Sequence, residues 1–129
     1  MSRIRPRPEE RIGTTMTSDE LQALIEEATA DFALGDAETA AEKLGRATAT
    51  AAEGFDAWHA LAEVNLALRR LDAALAAAEH AYALRPNDLL INTTLSRIWV
   101  ERGDKARAEH FGAQAKIQGW REQLRDSPA

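Results

Sequence analysis

Residues 55–88 read FDAWHALAEVNLALRRLDAALAAAEHAYALRPND, and this stretch decides the fold. It divides into two amphipathic helical segments. The first carries Trp58, Leu61 and Ala62, the second Ala74 and Ala81, and Pro86 closes the unit. Alanine is the strongest intrinsic helix former and is weak in strands, so its dominance here points to helices. On either side of this stretch the same spacing recurs: Ala40, Ala74 and Ala108 are each 34 residues apart, and so are Ala47, Ala81 and Ala115. Ala28, Ala62 and Ser96 put a small residue at a third fixed position, and Gly35 and Gly103 are separated by 68, twice the period. The offset holds without insertion or deletion, so the chain contains three repeats: 21–54, 55–88 and 89–122.

The two helices of each unit are expected to part near Gly35 and Gly103, because glycine adopts the left-handed conformation that closes a helix. Asp36 and Asp104 follow at once and are placed to cap the next helix. The middle repeat has Arg69 where the glycine belongs, which costs about 1 kcal/mol if the same backbone angle is kept. Small residues at the recurring alanine positions allow paired helices to approach closely, with Trp58, Leu61, Leu95, Ile98 and Trp99 expected to fill the space between them. One such unit leaves a face unburied, and about three stacked units are needed for stability.

The spacing of Trp58, Leu61, Ala62, Ala74, Ala81 and Pro86 resembles the tetratricopeptide consensus, with Ala62 in place of its usual glycine. The third repeat resembles it through Leu95, Ser96, Trp99, Gly103, Ala108 and Ala115, but has Asn92 and Trp120 where tryptophan and proline are commonest. The first keeps Leu24, Ala28, Gly35, Ala40, Leu44 and Ala47, while Glu27 and Asp31 replace apolar residues, as suits a solvent-facing end. The resemblance implies an all-α fold, a right-handed α-solenoid of three helix-turn-helix repeats with about six helices. Residues 1–16 are then expected to be a disordered N-terminal arm, 17–125 the repeat domain and 126–129 a C-terminal tail. Trp120 and Leu124, at i and i+4, are expected to act as a partial lid on the last repeat.

A chain of 129 residues fits one compact domain. The formal net charge of −5 argues against nucleic acid as a partner, since such affinity comes largely from neutralising phosphates. No apolar stretch approaches the roughly 20 residues that a membrane span needs. The first residues show arginine and proline rather than a secretion signal, so the expected location is the cytoplasm, with no membrane association. There is no cysteine, which excludes disulfides and thiol chemistry. The arginines of the arm, Arg3, Arg5, Arg7 and Arg11, read as a solvated tail offset by Glu9 and Glu10.

Nothing in the sequence carries catalysis. It has no glycine-rich phosphate loop and no nucleophile elbow. Among His59, His80 and His110 the one local pairing at ligand spacing is His59 with Glu63, and no further ligand completes a site. No enzyme, cofactor or metal is therefore expected. Trp58 and Trp99 read as core rather than as a stacking pair for a ligand.

By the resemblance, the first helices of the repeats line the inside of a curved surface and take another protein or peptide as partner. The groove positions this implies are Gln22, Ile25, Glu26, Thr29 and Phe32 in the first repeat, and His59, Glu63 and Leu66 in the second. Leu90, Thr93, Thr94, Arg97 and Glu101 complete them in the third. Some co-chaperone repeats clamp a terminal carboxylate with lysine, asparagine and arginine at fixed positions. Here Ile25, Thr29, Ala60, Leu90 and Thr94 stand there, so that cationic fork is missing. The implied function is a protein-interaction module, an adaptor, assembly factor or small accessory subunit. The alternatives are a self-associating scaffold joined through the C-terminal edge, and a small secretion-type chaperone of the bacterial kind.

Overall fold

The computed structural model describes residues 16–127. Six helices follow one another: α1 (Ser18–Ala33), α2 (Ala37–Thr50), α3 (Phe55–Ala67), α4 (Leu71–Leu84), α5 (Leu89–Glu101) and α6 (Lys105–Asp126). No strand occurs among the described residues. The arm expected at 1–16 lies outside them except for Met16, which packs beside Leu24, Ala47 and Ala57.

Local chemistry starts and stops the helices where the repeat demands. Thr17, Asp36, Asp88 and Asp104 cap α1, α2, α5 and α6, each side-chain oxygen accepting a backbone N–H three residues on at 3.0–3.2 Å. At the other end, α1, α3 and α5 close with the same left-handed turn, whose central residues are Gly35 (φ 90°), Arg69 (φ 62°) and Gly103 (φ 79°). In each turn the following N–H reaches back five residues: Asp36 to Asp31 O (2.8 Å), Arg70 to Asn65 O (2.9 Å) and Asp104 to Trp99 O (2.9 Å). The middle repeat therefore keeps the turn without the glycine, and α4 also starts without a side-chain cap, because Arg70 stands where Asp36 and Asp104 cap their helices.

Consecutive helices pack against one another throughout, the two helices of each repeat most extensively. The backbones of α1 and α3, and of α3 and α5, also come within 8 Å, whereas α2 and α4, and α4 and α6, do not. The first helices thus form the shorter inner row and the second helices the splayed outer row, which curves the array with α1, α3 and α5 inside. Its centre is the cluster of Ala62, Leu66, Ala74, Ala77, Ala78 and Ala81 under Ile91, Leu95 and Ile98. The recurring alanines Ala28, Ala40, Ala47, Ala62, Ala74 and Ala81 are fully buried, the outcome their spacing predicts.

Three expectations are corrected. Trp58 and Trp99 are half-buried at the margin of the core rather than inside it. Trp58 reaches out of the helix pair to donate its indole N–H to Ala52 O at 2.8 Å and stacks on His80 at 4.1 Å, while Trp99 lies under the guanidinium groups of Arg107 and Arg102. Asp31 does not simply face solvent. Lys43 of α2 stands 2.7 Å from it and 3.8 Å from Glu27, so the acidic residues of α1 are met by a cation of their own repeat. Finally, α6 continues unbroken through Trp120 and Leu124 to Asp126, and this carries both side chains past the body of the array, where they cover nothing: they are 62% and 76% exposed.

Candidate partner-binding surface

The inner row places the predicted groove residues on α1, α3 and α5. Four of them meet in one network at the centre. The Thr94 hydroxyl donates to Glu63 Oε1 at 2.8 Å and lies 3.1 Å from His59 Nε2, and Arg97 donates to Glu63 Oε2 at 3.0 Å. His59 Nε2 is 3.6 Å from Glu63 Oε1. Those contacts tie α3 to α5. They also tune Glu63: the imidazole of His59, then the Thr94 hydroxyl and the Arg97 guanidinium, hold its carboxyl down to about 2 against the opposing effect of burial. Glu63 is therefore an anion across the whole physiological range, with its charge committed to its neighbours.

The remaining positions divide by exposure. Gln22, Glu26, Thr29 and Phe32 of α1 and Leu90, Thr93, Arg97 and Glu101 of α5 are exposed, and Ile25, His59 and Glu63 are half-exposed. Several satisfy themselves locally: Gln22 donates to Glu26 at 3.3 Å, and the Thr29 and Thr93 hydroxyls return to the carbonyls of Ile25 and Leu89. Glu101 pairs with Arg69 at 2.6 Å. Two positions lie beneath the surface instead of on it. Leu66 belongs to the central core, because α5 packs over it, and Thr94 is only 1% exposed, walled in by His59, Glu63 and its own helix. Neither side chain is presented at the surface.

What is left is a polar floor with apolar points. Leu90, 56% exposed, and Phe32 are the large apolar side chains it offers, on helices that also expose Gln22, Glu26, Thr93 and Arg97. Such a surface suits a polypeptide that inserts a few apolar side chains among polar contacts. The Glu63–Arg97 pair had a sequence signal, since the two residues are 34 apart and occupy the same position in successive repeats. Equivalent positions on adjacent first helices are neighbours in a stacked array, so opposite charges there read as an inter-repeat pair.

The other histidines take structural places, His80 against Trp58 and His110 against Phe111 at 4.9 Å. Among the described residues no group of three or more His, Cys, Asp or Glu side chains is arranged to hold a metal ion, and no helix is long and apolar enough to cross a membrane.

No protein-family model matches the chain, and no curated protein matches it. Among solved structures it is similar to a crystal structure of MamA protein, a tetratricopeptide-containing protein, with a TM-score of 0.72 at 19% identity, over 84% of this chain and 59% of that one. A second crystal structure of MamA gives a TM-score of 0.75 at 19% identity, over 81% of this chain and 61% of that one. The chain thus has the fold of three tandem tetratricopeptide-type repeats and spans less than two thirds of the MamA chains it resembles.

Proposed function

We propose that this three-repeat array is a protein-interaction module that holds a segment of another polypeptide along its inner row of helices. The observation that carries the reading is the exposure of Phe32 and Leu90 at the two ends of that row, with the His59–Glu63–Thr94–Arg97 network fixing the floor between them. A floor whose polar groups are already paired stays in place when a partner arrives, so little ordering cost is left to offset. Adaptor, assembly factor, accessory subunit and secretion-type chaperone all share this mode of action, and the first three need nothing beyond it. The net charge of −5 disfavours a polyanionic partner, and the expected setting is the cytoplasm.

Site-specific photo-crosslinking tests it. A photoreactive residue at Leu90 or Phe32 is expected to capture a polypeptide of the native host, whereas one at Glu42, exposed on the outer helix α2, is not. Capture at Glu42 with none at Leu90 or Phe32 would refute the reading.

A further inference from the structure

The last repeat leaves open a hollow of about 560 Å³ lined by Ser96, Val100, Ala108, Gly112 and Ala113 together with the charged Lys105, Glu109 and Lys116. One repeat earlier the equivalents of Ser96, Val100, Ala108 and Gly112 are Ala62, Leu66, Ala74 and Ala78, all buried because α5 lays Ile91, Leu95 and Ile98 over them, while the equivalent of Ala113 at the edge is the exposed Glu79. The contrast is large. Leu66 is 6% exposed and its equivalent Val100 61%. The α5–α6 hollow therefore has the shape of a seat for one more helix bearing bulky apolar side chains.

The chain itself carries such side chains beside the seat. α6 runs on past Gln118, the position equivalent to the end of α4 at Leu84. Its added turns carry Trp120 and Leu124, which share a helix face with Ala113, since steps of seven and four residues return to the same side of a helix. Bulky residues at one end of a face and a small-residue hollow at the other cannot meet within one rigid helix. They meet when two copies lie antiparallel, the arrangement in which one patch is complementary to itself.

We infer that two copies of this chain associate through α6, in a closed two-fold dimer in which Trp120 and Leu124 of each copy enter the Ser96–Gly112–Ala113 hollow of the other. With the axis near Lys116, Glu109 faces Gln123 and Lys105 faces Asp126, so the flanking charges and amides are complementary. The two Lys116 side chains meet nearest the axis, and their long stems carry the ammonium groups to the rim. An open head-to-tail chain is disfavoured by α1. Where α5 offers Ile91, Leu95 and Ile98, α1 has Ala23, Glu27 and Ala30, all exposed, with no bulky apolar group to fill the seat. The association needs nothing from the inner row and stands independently of the partner site there.

Light scattering or sedimentation of the full chain over a concentration series reads the outcome. The mass is expected to climb from 14.2 kDa towards twice that value and stop there. Trp120→Ala with Leu124→Ala removes the inserted groups, and Ala113→Arg fills the hollow from an exposed position. Each is expected to weaken the dimer about tenfold or more, as loss of a central anchor does, with the helical circular dichroism unchanged. The concave variant Phe32→Ser/Leu90→Ser leaves the dimer intact. A chain that stays at 14.2 kDa at every concentration overturns the inference. So does growth beyond a dimer, a dimer that survives both α6 variants, or one that the concave variant dissociates.

Discussion

Arg70 reaches from the middle repeat to Glu38 of the first, one guanidinium nitrogen donating to both carboxylate oxygens at 2.7 and 2.6 Å. Its neighbour Arg69 reaches the other way, to Glu101 of the third repeat at 2.6 Å, and Arg102 completes the series by pairing with Asp72. The first and third repeats use Gly-Asp at these two positions, for a free left-handed turn and a helix cap. The middle repeat, with a neighbour on each side, has arginines that grip both.

Arg69→Gly separates the two effects. Relief of the left-handed backbone at φ 62° stabilises by about 1 kcal/mol, and loss of an ion pair whose arginine side chain is 63% exposed costs about 0–1 kcal/mol. Thermal unfolding should therefore show a midpoint unchanged or raised. A fall of many degrees would mean that the Arg69–Glu101 pair supports the array far more than an exposed pair does.

Acid should weaken the centre of the inner row in a defined window. The Glu63 carboxyl sits at about 2 in the folded chain against an ordinary 4.5, so as pH falls the unfolded chain binds its proton first. Its stabilising contribution is complete above about 4.5 and is lost progressively between there and about 2. Glu63→Gln lacks this dependence. Urea midpoints of parent and variant should converge as pH drops through that interval, and parallel profiles would remove Glu63 from the network.

Core packing gives a third comparison. Ala74 is fully buried where α4 meets its neighbours, so Ala74→Leu should overpack and destabilise by about 1–3 kcal/mol. Full burial would put Trp58→Ala at about 3–5 kcal/mol, and the half-buried setting brings it below that range, to about 2–3. Denaturant titration checks both, and an Ala74→Leu chain as stable as the parent would contradict the close approach of the helices.

The fold was legible because the 34-residue recurrence of Ala40, Ala74 and Ala108 imposes one helix pair per period. Whether Arg69 would keep the left-handed turn was left open by the sequence, and the structure shows that it does, with φ 62°. The surface was less legible. Leu66 and its equivalents Phe32 and Val100 share one repeat position, yet Leu66 is core and the others are exposed. Burial there depends on which helix lies alongside, which the position within a repeat does not encode. The ion pairs of Arg69, Arg70 and Arg102 span separations of 30–32 residues, close to the period but not equal to it, and no helical spacing announces them. The exposure of Trp120 and Leu124 depends on α6 continuing beyond the body of the array, where there is nothing left to pack against.

Partner binding by the inner row is measured most directly by comparing recovery of the crosslinked or co-purified host polypeptide by the parent chain and by Phe32→Ser/Leu90→Ser/Arg97→Ala. All three positions are exposed; the two serine substitutions should each shift stability by no more than about 0.5 kcal/mol, and loss of the Arg97–Glu63 pair costs about 0–1 kcal/mol, so the helical circular dichroism should be retained. Recovery by the folded variant is expected to fall sharply, because the apolar points at the two ends of the row and the Arg97 charge of the network between them are gone. Equal recovery by parent and folded variant would contradict it and place the partner on another face.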